Sequence, residues 1–91
     1  MIEYTRTIEI AINSLHPLDR ERTEKLISQL REYPELARKA EFFRASDQIR
    51  VLPISTELKL LFEAQNDTIK LLDVTTPRRY EDTRNQQVTA L

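Results

Sequence analysis

The spacing of apolar residues changes early in the chain. Ile2 and Tyr4 alternate with polar neighbours, which predicts a short opening strand. The apolar positions that follow recur every three or four residues, as in the buried stripe of a helix: Ile8, Ala11, Ile12 and Leu15. Alternation also continues through Ile10, so a longer strand is the competing prediction. We favour a helix over residues 7–15 because Ala11 and Leu15 complete its stripe.

The ends of the helices are marked by particular residues. Either Thr5 or Thr7 is suited to cap the first helix. Pro17 opens a second helix that runs to about Glu32, since proline is favoured in a first turn. Pro34 ends it, because the residue before a proline avoids helical geometry. The predicted buried residues of this helix are Leu18, Thr23, Leu26, Ile27, Leu30 and Tyr33. Two helices joined by a tight turn form a helical hairpin.

Strand-forming residues dominate after residue 40. Strands are predicted over residues 49–54, 58–64 and 69–74, with a shorter one near Phe42 and Phe43. Residues 35–39 before them are irregular or form one more helical turn. The turn candidates at 55–57 and 65–67 are short, which predicts an antiparallel meander of three strands. The apolar face of this sheet needs cover, and the helical hairpin provides it, so we predict an α+β fold.

Length and composition narrow the class of protein. A chain of 91 residues accommodates one domain, which we place at residues 1–82, followed by a polar tail over 83–91 that we expect to be frayed or disordered. The absence of glycine excludes Gly-rich phosphate loops. With no cysteine and one histidine, neither a disulfide framework nor a structural metal is expected, and we predict no cofactor. No signal peptide or membrane-spanning segment is recognisable, so a cytoplasmic protein that does not bind membranes is expected.

Charge gives no simple indication of a nucleic-acid surface. Fourteen basic and fifteen acidic side chains leave a net charge of −1. Attraction to phosphates normally supplies most non-specific affinity for nucleic acids. Any basic surface must therefore be assembled by the fold.

The order of elements, a strand, a helical hairpin and a meander, resembles the RelE/ParE toxins of bacterial toxin–antitoxin pairs. Three segments carry the resemblance besides the opening strand: Lys25 to Pro34, which is similar to the family's second helix; Ile49-Arg50-Val51 with Leu58 to Glu63, which is similar to its hairpin; and Asp67 to Leu72, which is similar to its final strand. Pro77-Arg78-Arg79-Tyr80 stands where the family has a basic turn. The chain departs from the family in lacking a glycine in the hairpin turn and in having Lys59 where a second arginine is usual.

The resemblance implies candidate site residues. In the ribosome-dependent nucleases of this family, the RNA's own 2′-hydroxyl attacks the adjacent phosphate, so no metal is required, and the protein stabilises the phosphorane. By resemblance the catalytic residues are Arg50, Lys59, Arg79 and Tyr80, with Tyr80 near the C-terminal acid. Further RNA contacts are expected from Arg44 and Arg78. For each of these a solvated or packing role is the alternative. Arg50 alternates out of the core, where an arginine on a strand is usually solvated. For Lys59 the alternative is an ion pair with Glu57 or Glu63.

Three functions follow from the resemblance. The first is a toxin that cleaves mRNA on the ribosome, with a cognate antitoxin as partner and a homo- or hetero-oligomer as its assembly. The second is a ParE-like inhibitor of DNA gyrase without a nuclease site, which the near-neutral charge and Lys59 favour. The third is an inactive family member that binds protein only, for example an antitoxin helix or strand.

Overall fold

The computed structural model describes residues 1–43 and 46–76, and it confirms the α+β class. Along the chain the elements are β1 (Ile2–Tyr4), α1 (Arg6–Asn13), α2 (Pro17–Glu32), α3 (Glu35–Lys39), β2 (Glu41–Phe42), β3 (Ile49–Pro53), β4 (Lys59–Gln65) and β5 (Thr68–Thr75). The predicted second helix is confirmed at both ends. Residues 35–39, for which two predictions stood, form the short helix α3.

One mixed sheet of five strands contains all the strands of the described residues, in the order β1-β5-β4-β3-β2. The strands β3, β4 and β5 pair antiparallel in chain order, while β1 runs parallel to β5. The sheet is larger than the three-stranded meander predicted, because β1 and β2 extend its two edges. A parallel neighbour requires a long crossover. The helices lie within the crossover between β1 and β5.

The start of α1 decides between the two sequence predictions for this stretch. Thr5 is the N-cap, and its Oγ1 accepts a hydrogen bond from the amide of Ile8 at 3.2 Å. The same hydroxyl donates to the carbonyl of Leu71 in β5 at 2.8 Å. The longer strand is therefore wrong, and Thr5 rather than Thr7 caps the helix. Because one side chain both caps α1 and bonds to β5, the helix start is fixed on the sheet.

The core lies between the helices and one face of the sheet. Its most deeply buried large side chains are Ile8, Leu30, Leu60, Phe62 and Leu71. Thr23 and Ile27 of α2 are buried as predicted. Leu18 and Tyr33 are 56% and 50% exposed, so the predicted stripe is wrong at its ends. Both lie at the limits of the helix, Leu18 in the first turn and Tyr33 at the C-cap.

The β4–β5 hairpin turns without glycine. Gln65 pairs with Thr68, so the loop consists of Asn66 and Asp67 alone. Asn66 has a φ of +52°, in the left-handed region that asparagine tolerates better than most residues. The turn predicted at residues 65–67 is confirmed at this loop.

Candidate functional site

The sheet has a second face, opposite the core, whose residues follow from strand alternation and register. Leu60 and Phe62 point into the core, so Lys59, Leu61 and Glu63 of β4 belong to the second face. Their neighbours in β3 are Pro53, Val51 and Ile49, and those in β5 are Thr75, Asp73 and Lys70. We call this set the second face. It carries both charged and apolar side chains.

A groove of about 470 Å³ opens where β2, β3 and β4 meet. Three charged residues line it, namely Lys39, Glu41 and Lys59, together with Ala40, Val51, Leu52 and Pro53. Lys39 is the last residue of α3, and Glu41 opens β2 in register with Val51. The lining thus combines two lysines and one glutamate with apolar residues. We call this feature the lysine groove.

Lys59 is the predicted site residue that the structure places in this groove. It is half-buried and begins β4, paired with Pro53 on one side and Thr75 on the other. The alternative from the sequence, an ion pair with a neighbouring glutamate, is not among the contacts of Lys59 in the described residues. Lys59 is one of the residues that line the lysine groove. Its catalytic role stays a prediction.

Arg50 lies on the opposite side of the sheet from Lys59. It pairs with Phe62, a core residue, so the expectation that it points away from the core-facing side is wrong. Its Nη1 donates to the carbonyl oxygen of Ala40 at 2.8 Å, and its guanidinium carbon lies 4.1 Å from the centroid of the Phe42 ring. The structure therefore does not bring Arg50 and Lys59 together as one cluster. The cause is the register of β3 with β4. Arg50 is paired with Phe62, which faces the core, whereas Lys59 is paired with Pro53 on the second face.

The other predicted site residues fall outside the described residues. These are Arg44, Arg78, Arg79 and Tyr80, and the predicted tail at 83–91 also falls there. The described chain ends at Thr76, one residue after Thr75, the partner of Lys59 in the sheet. Along the sequence, Arg78 and Arg79 follow within three residues of that point. The roles assigned to them by resemblance stay predictions.

Sequence reasoning missed Lys39 and Glu41. Lys39 was placed at the end of the segment 35–39, and neither residue was given a role. The available signal was the charge on both sides of Ala40, whose backbone is extended. What the sequence did not show is that Glu41 pairs with Val51 of β3, the strand that lies beside the strand of Lys59.

The chemistry available in the lysine groove is that of anion binding and proton transfer. Two lysine ammonium groups offer six N–H donors and two positive charges to a phosphate. The Glu41 carboxylate can accept a proton from a hydroxyl held beside that phosphate. Within residues 1–43 and 46–76, histidine and carboxylate side chains form no cluster of three or more that would hold a metal ion.

Comparison with known protein families and with curated proteins gives no match to this chain. Among the helices of the described part of the chain, none has the length and apolar character required to span a membrane.

Proposed function

We propose that this chain is the toxin of a RelE/ParE-like toxin–antitoxin pair and cleaves mRNA on the ribosome. The observation that carries the proposal is the lysine groove, whose lining includes Lys39, Lys59 and the carboxylate residue Glu41. A phosphate between two ammonium groups is stabilised most when its charge increases, as it does in a phosphorane. The groove therefore suits phosphoryl transfer better than simple adhesion to RNA.

The architecture supports the same proposal. A strand, a pair of helices and antiparallel strands in this order are what the resemblance implies, and the helices cover one face of the sheet. The lysine groove does not open on the face that the helices cover; it opens at the junction of β2, β3 and β4. Fold alone does not determine function, so the proposal depends on the charged residues of the groove.

The proposed reaction is an internal transesterification of RNA. The 2′-oxygen of one nucleotide forms a bond to the adjacent phosphorus while the bond from phosphorus to the 5′-oxygen breaks. Glu41 accepts the proton of the 2′-hydroxyl, and the departing 5′-oxygen takes up a proton. The products are a 2′,3′-cyclic phosphate and a 5′-hydroxyl. Lys39 and Lys59 stabilise the negative charge of the phosphorane.

Residues from the resemblance complete the proposed site. Arg79 adds a second kind of phosphate contact, since its planar guanidinium can bind two oxygens at once. Tyr80 protonates the leaving 5′-oxygen, and Arg44 and Arg78 contact the RNA backbone. The protein acts in the cytoplasm, where ribosomes are found, and a cognate antitoxin neutralises it.

The test is cleavage of mRNA in a reconstituted bacterial translation reaction, with new RNA ends mapped by primer extension. We expect Lys59→Ala and Glu41→Gln each to reduce the cleavage rate at least tenfold, in the range by which single acid–base or electrostatic groups affect catalysis. Arg79→Ala should have a similar effect. The matched controls are Lys25→Ala and Glu21→Gln, which remove the same charges from exposed positions of α2. Wild-type protein that leaves the mRNA intact would overturn the nuclease proposal.

A second candidate is inhibition of DNA gyrase by binding. Beyond the lysine groove, one row of paired side chains crosses neighbouring strands of the sheet: Glu63 pairs with Lys70, and Lys70 pairs with Glu3. This row contains two carboxylates and one lysine. A row of this composition is unsuited to a long RNA and suits a protein partner. Gyrase–DNA cleavage complexes that accumulate in vitro with wild-type protein, and equally with Lys59→Ala, would favour this candidate.

A further inference from the structure

Arg50 makes two contacts that converge on one short segment. Its guanidinium donates a hydrogen bond to the carbonyl of Ala40 at 2.8 Å. It also lies over the Phe42 ring at 4.1 Å from the centroid, within the range of a cation–π interaction. Arg50 is half-buried, which reduces the competition from water for both contacts. One side chain thus holds positions 40 and 42 from the neighbouring strand.

The segment that Arg50 holds carries two of the three charged residues of the lysine groove. Lys39 precedes Ala40, and Glu41 lies between Ala40 and Phe42. The orientation of their side chains depends on how the backbone at positions 40 and 42 is fixed. Arg50 itself points to the other side of the sheet, so it acts on the groove only through this backbone.

The segment has anchors besides Arg50: Ala40 is buried in the core, its amide donates to the carbonyl of Ala37 at 3.4 Å, and the carbonyl of Phe43 accepts from the amide of Ser46 at 2.9 Å. Its pairing with the sheet is short. The strand β2 has two residues, and only Glu41 and Phe42 are in register with β3. The next ladder bond runs from the amide of Phe43 to the carbonyl of Ile49 at 2.6 Å. A two-residue edge strand has little intrinsic stability. A side chain that adds a charged hydrogen bond and a ring contact therefore contributes to ordering it.

We propose that Arg50 is a positioning residue of the lysine groove: through the Ala40 carbonyl and the Phe42 ring it fixes Lys39 and Glu41 where a phosphate binds. This proposal rests on the proposed function for the identity of the ligand. It replaces the role of Arg50 as a group that touches the RNA. The change Arg50→Gln keeps a polar side chain but removes the charge and the fork of donors, so the segment from Ala40 to Phe42 should open more often.

The experiment uses the full chain and two readouts. The first is amide hydrogen exchange at Phe43, which reports opening of β2. The second is affinity for an RNA oligonucleotide with 2′-deoxy substitutions that prevent cleavage. We expect Arg50→Gln to accelerate amide exchange at Phe43 about tenfold and to lower the affinity for the oligonucleotide several-fold, since a charged hydrogen bond is lost. Arg50→Lys keeps a charge and one donor, so it should recover part of both effects.

Two controls separate positioning from general stability. Ile12→Val destabilises the core in α1, away from the lysine groove, and should change neither readout at a temperature well below unfolding. Arg31→Gln removes the same charge from an exposed position of α2 and should also have no effect.

The outcomes decide the proposal as follows. Unchanged exchange at Phe43 in Arg50→Gln overturns it, whatever the probe shows. Faster exchange at Phe43 with unchanged affinity for the oligonucleotide also overturns it, because Arg50 would then stabilise β2 without positioning the groove residues for the ligand. If the wild type does not bind the probe and Lys59→Ala is no different, the proposed function fails, and exchange at Phe43 alone then decides whether Arg50 orders this segment.

Discussion

Removing the hydroxyl of Thr5 tests how the start of α1 is held on the sheet. The change Thr5→Val keeps the shape of the side chain and deletes its donor and acceptor. One bond accepted from the amide of Ile8 at 3.2 Å is lost, and so is one donated to the carbonyl of Leu71 at 2.8 Å, which the hydroxyl shares with the carbonyl of Leu72 at 3.3 Å. The amide of Thr5 still donates to Leu71 at 3.3 Å, so this carbonyl keeps one partner.

The magnitude follows from these two losses. Loss of an N-cap side chain costs about 1 kcal/mol. A side-chain hydrogen bond to a half-buried carbonyl contributes about 1 kcal/mol net. The free energy of unfolding should therefore fall by about 2 kcal/mol, which in a domain of this size lowers the melting temperature by roughly 10 °C. That is a substantial part of a total stability of about 5–14 kcal/mol.

The assay is urea unfolding followed by circular dichroism, with melting temperatures as a second measure. Thr7→Val is the matched control, since it makes the same chemical change two residues away at an exposed position of α1. It should alter the free energy of unfolding by less than about 0.5 kcal/mol. Thr5→Ser should stay close to the wild type because it keeps the hydroxyl. Equal effects of Thr5→Val and Thr7→Val would refute the account of the cap.

Two further predictions concern the core and the hairpin. Phe62→Ala should lower the free energy of unfolding by about 3–5 kcal/mol, because Phe62 is fully buried between the sheet and the helices; urea unfolding measures this, and a loss below about 1 kcal/mol would contradict the described core. Asn66→Val should destabilise by about 1–2 kcal/mol, since a β-branched residue disfavours a φ of +52°. Asn66→Gly should be neutral or stabilising, and equal melting temperatures for both Asn66 variants would argue against the left-handed turn.

Much of the fold was accessible from local patterns. The second helix has a proline in its first turn and another two residues after its end, so both of its limits were predicted. The hairpin at Asn66 has turn chemistry between two alternating strands. These signals lie within a few residues of the features they determine. They require no knowledge of what packs against them.

Features that depend on long-range pairing were not accessible in the same way. The parallel pairing of β1 with β5 joins Ile2 to Ile69 across nearly the whole described chain. The orientation of Arg50 depends on its register with Phe62 and on the approach of Phe42 from a third strand. Alternation alone assigned it to the wrong side. A one-residue difference in register reverses every side chain of a strand.

The lysine groove shows the same limit for the candidate site. Lys59 was selected because the family resemblance has a basic residue at that position. The same resemblance assigns no site residue at Lys39 or Glu41. Their contribution results from the pairing of β2 with β3, and β2 has only two residues. A strand this short gives almost no periodic signal.

The measurement that tests the central claim most directly is pulse labelling of bacteria after induced expression, with protein and DNA synthesis followed separately. Wild-type protein should stop protein synthesis first. Lys59→Ala should relieve this inhibition at equal expression, whereas Lys25→Ala should not. Loss of DNA synthesis before protein synthesis, or inhibition that Lys59→Ala leaves intact, would contradict a ribosome-directed nuclease that acts through the lysine groove.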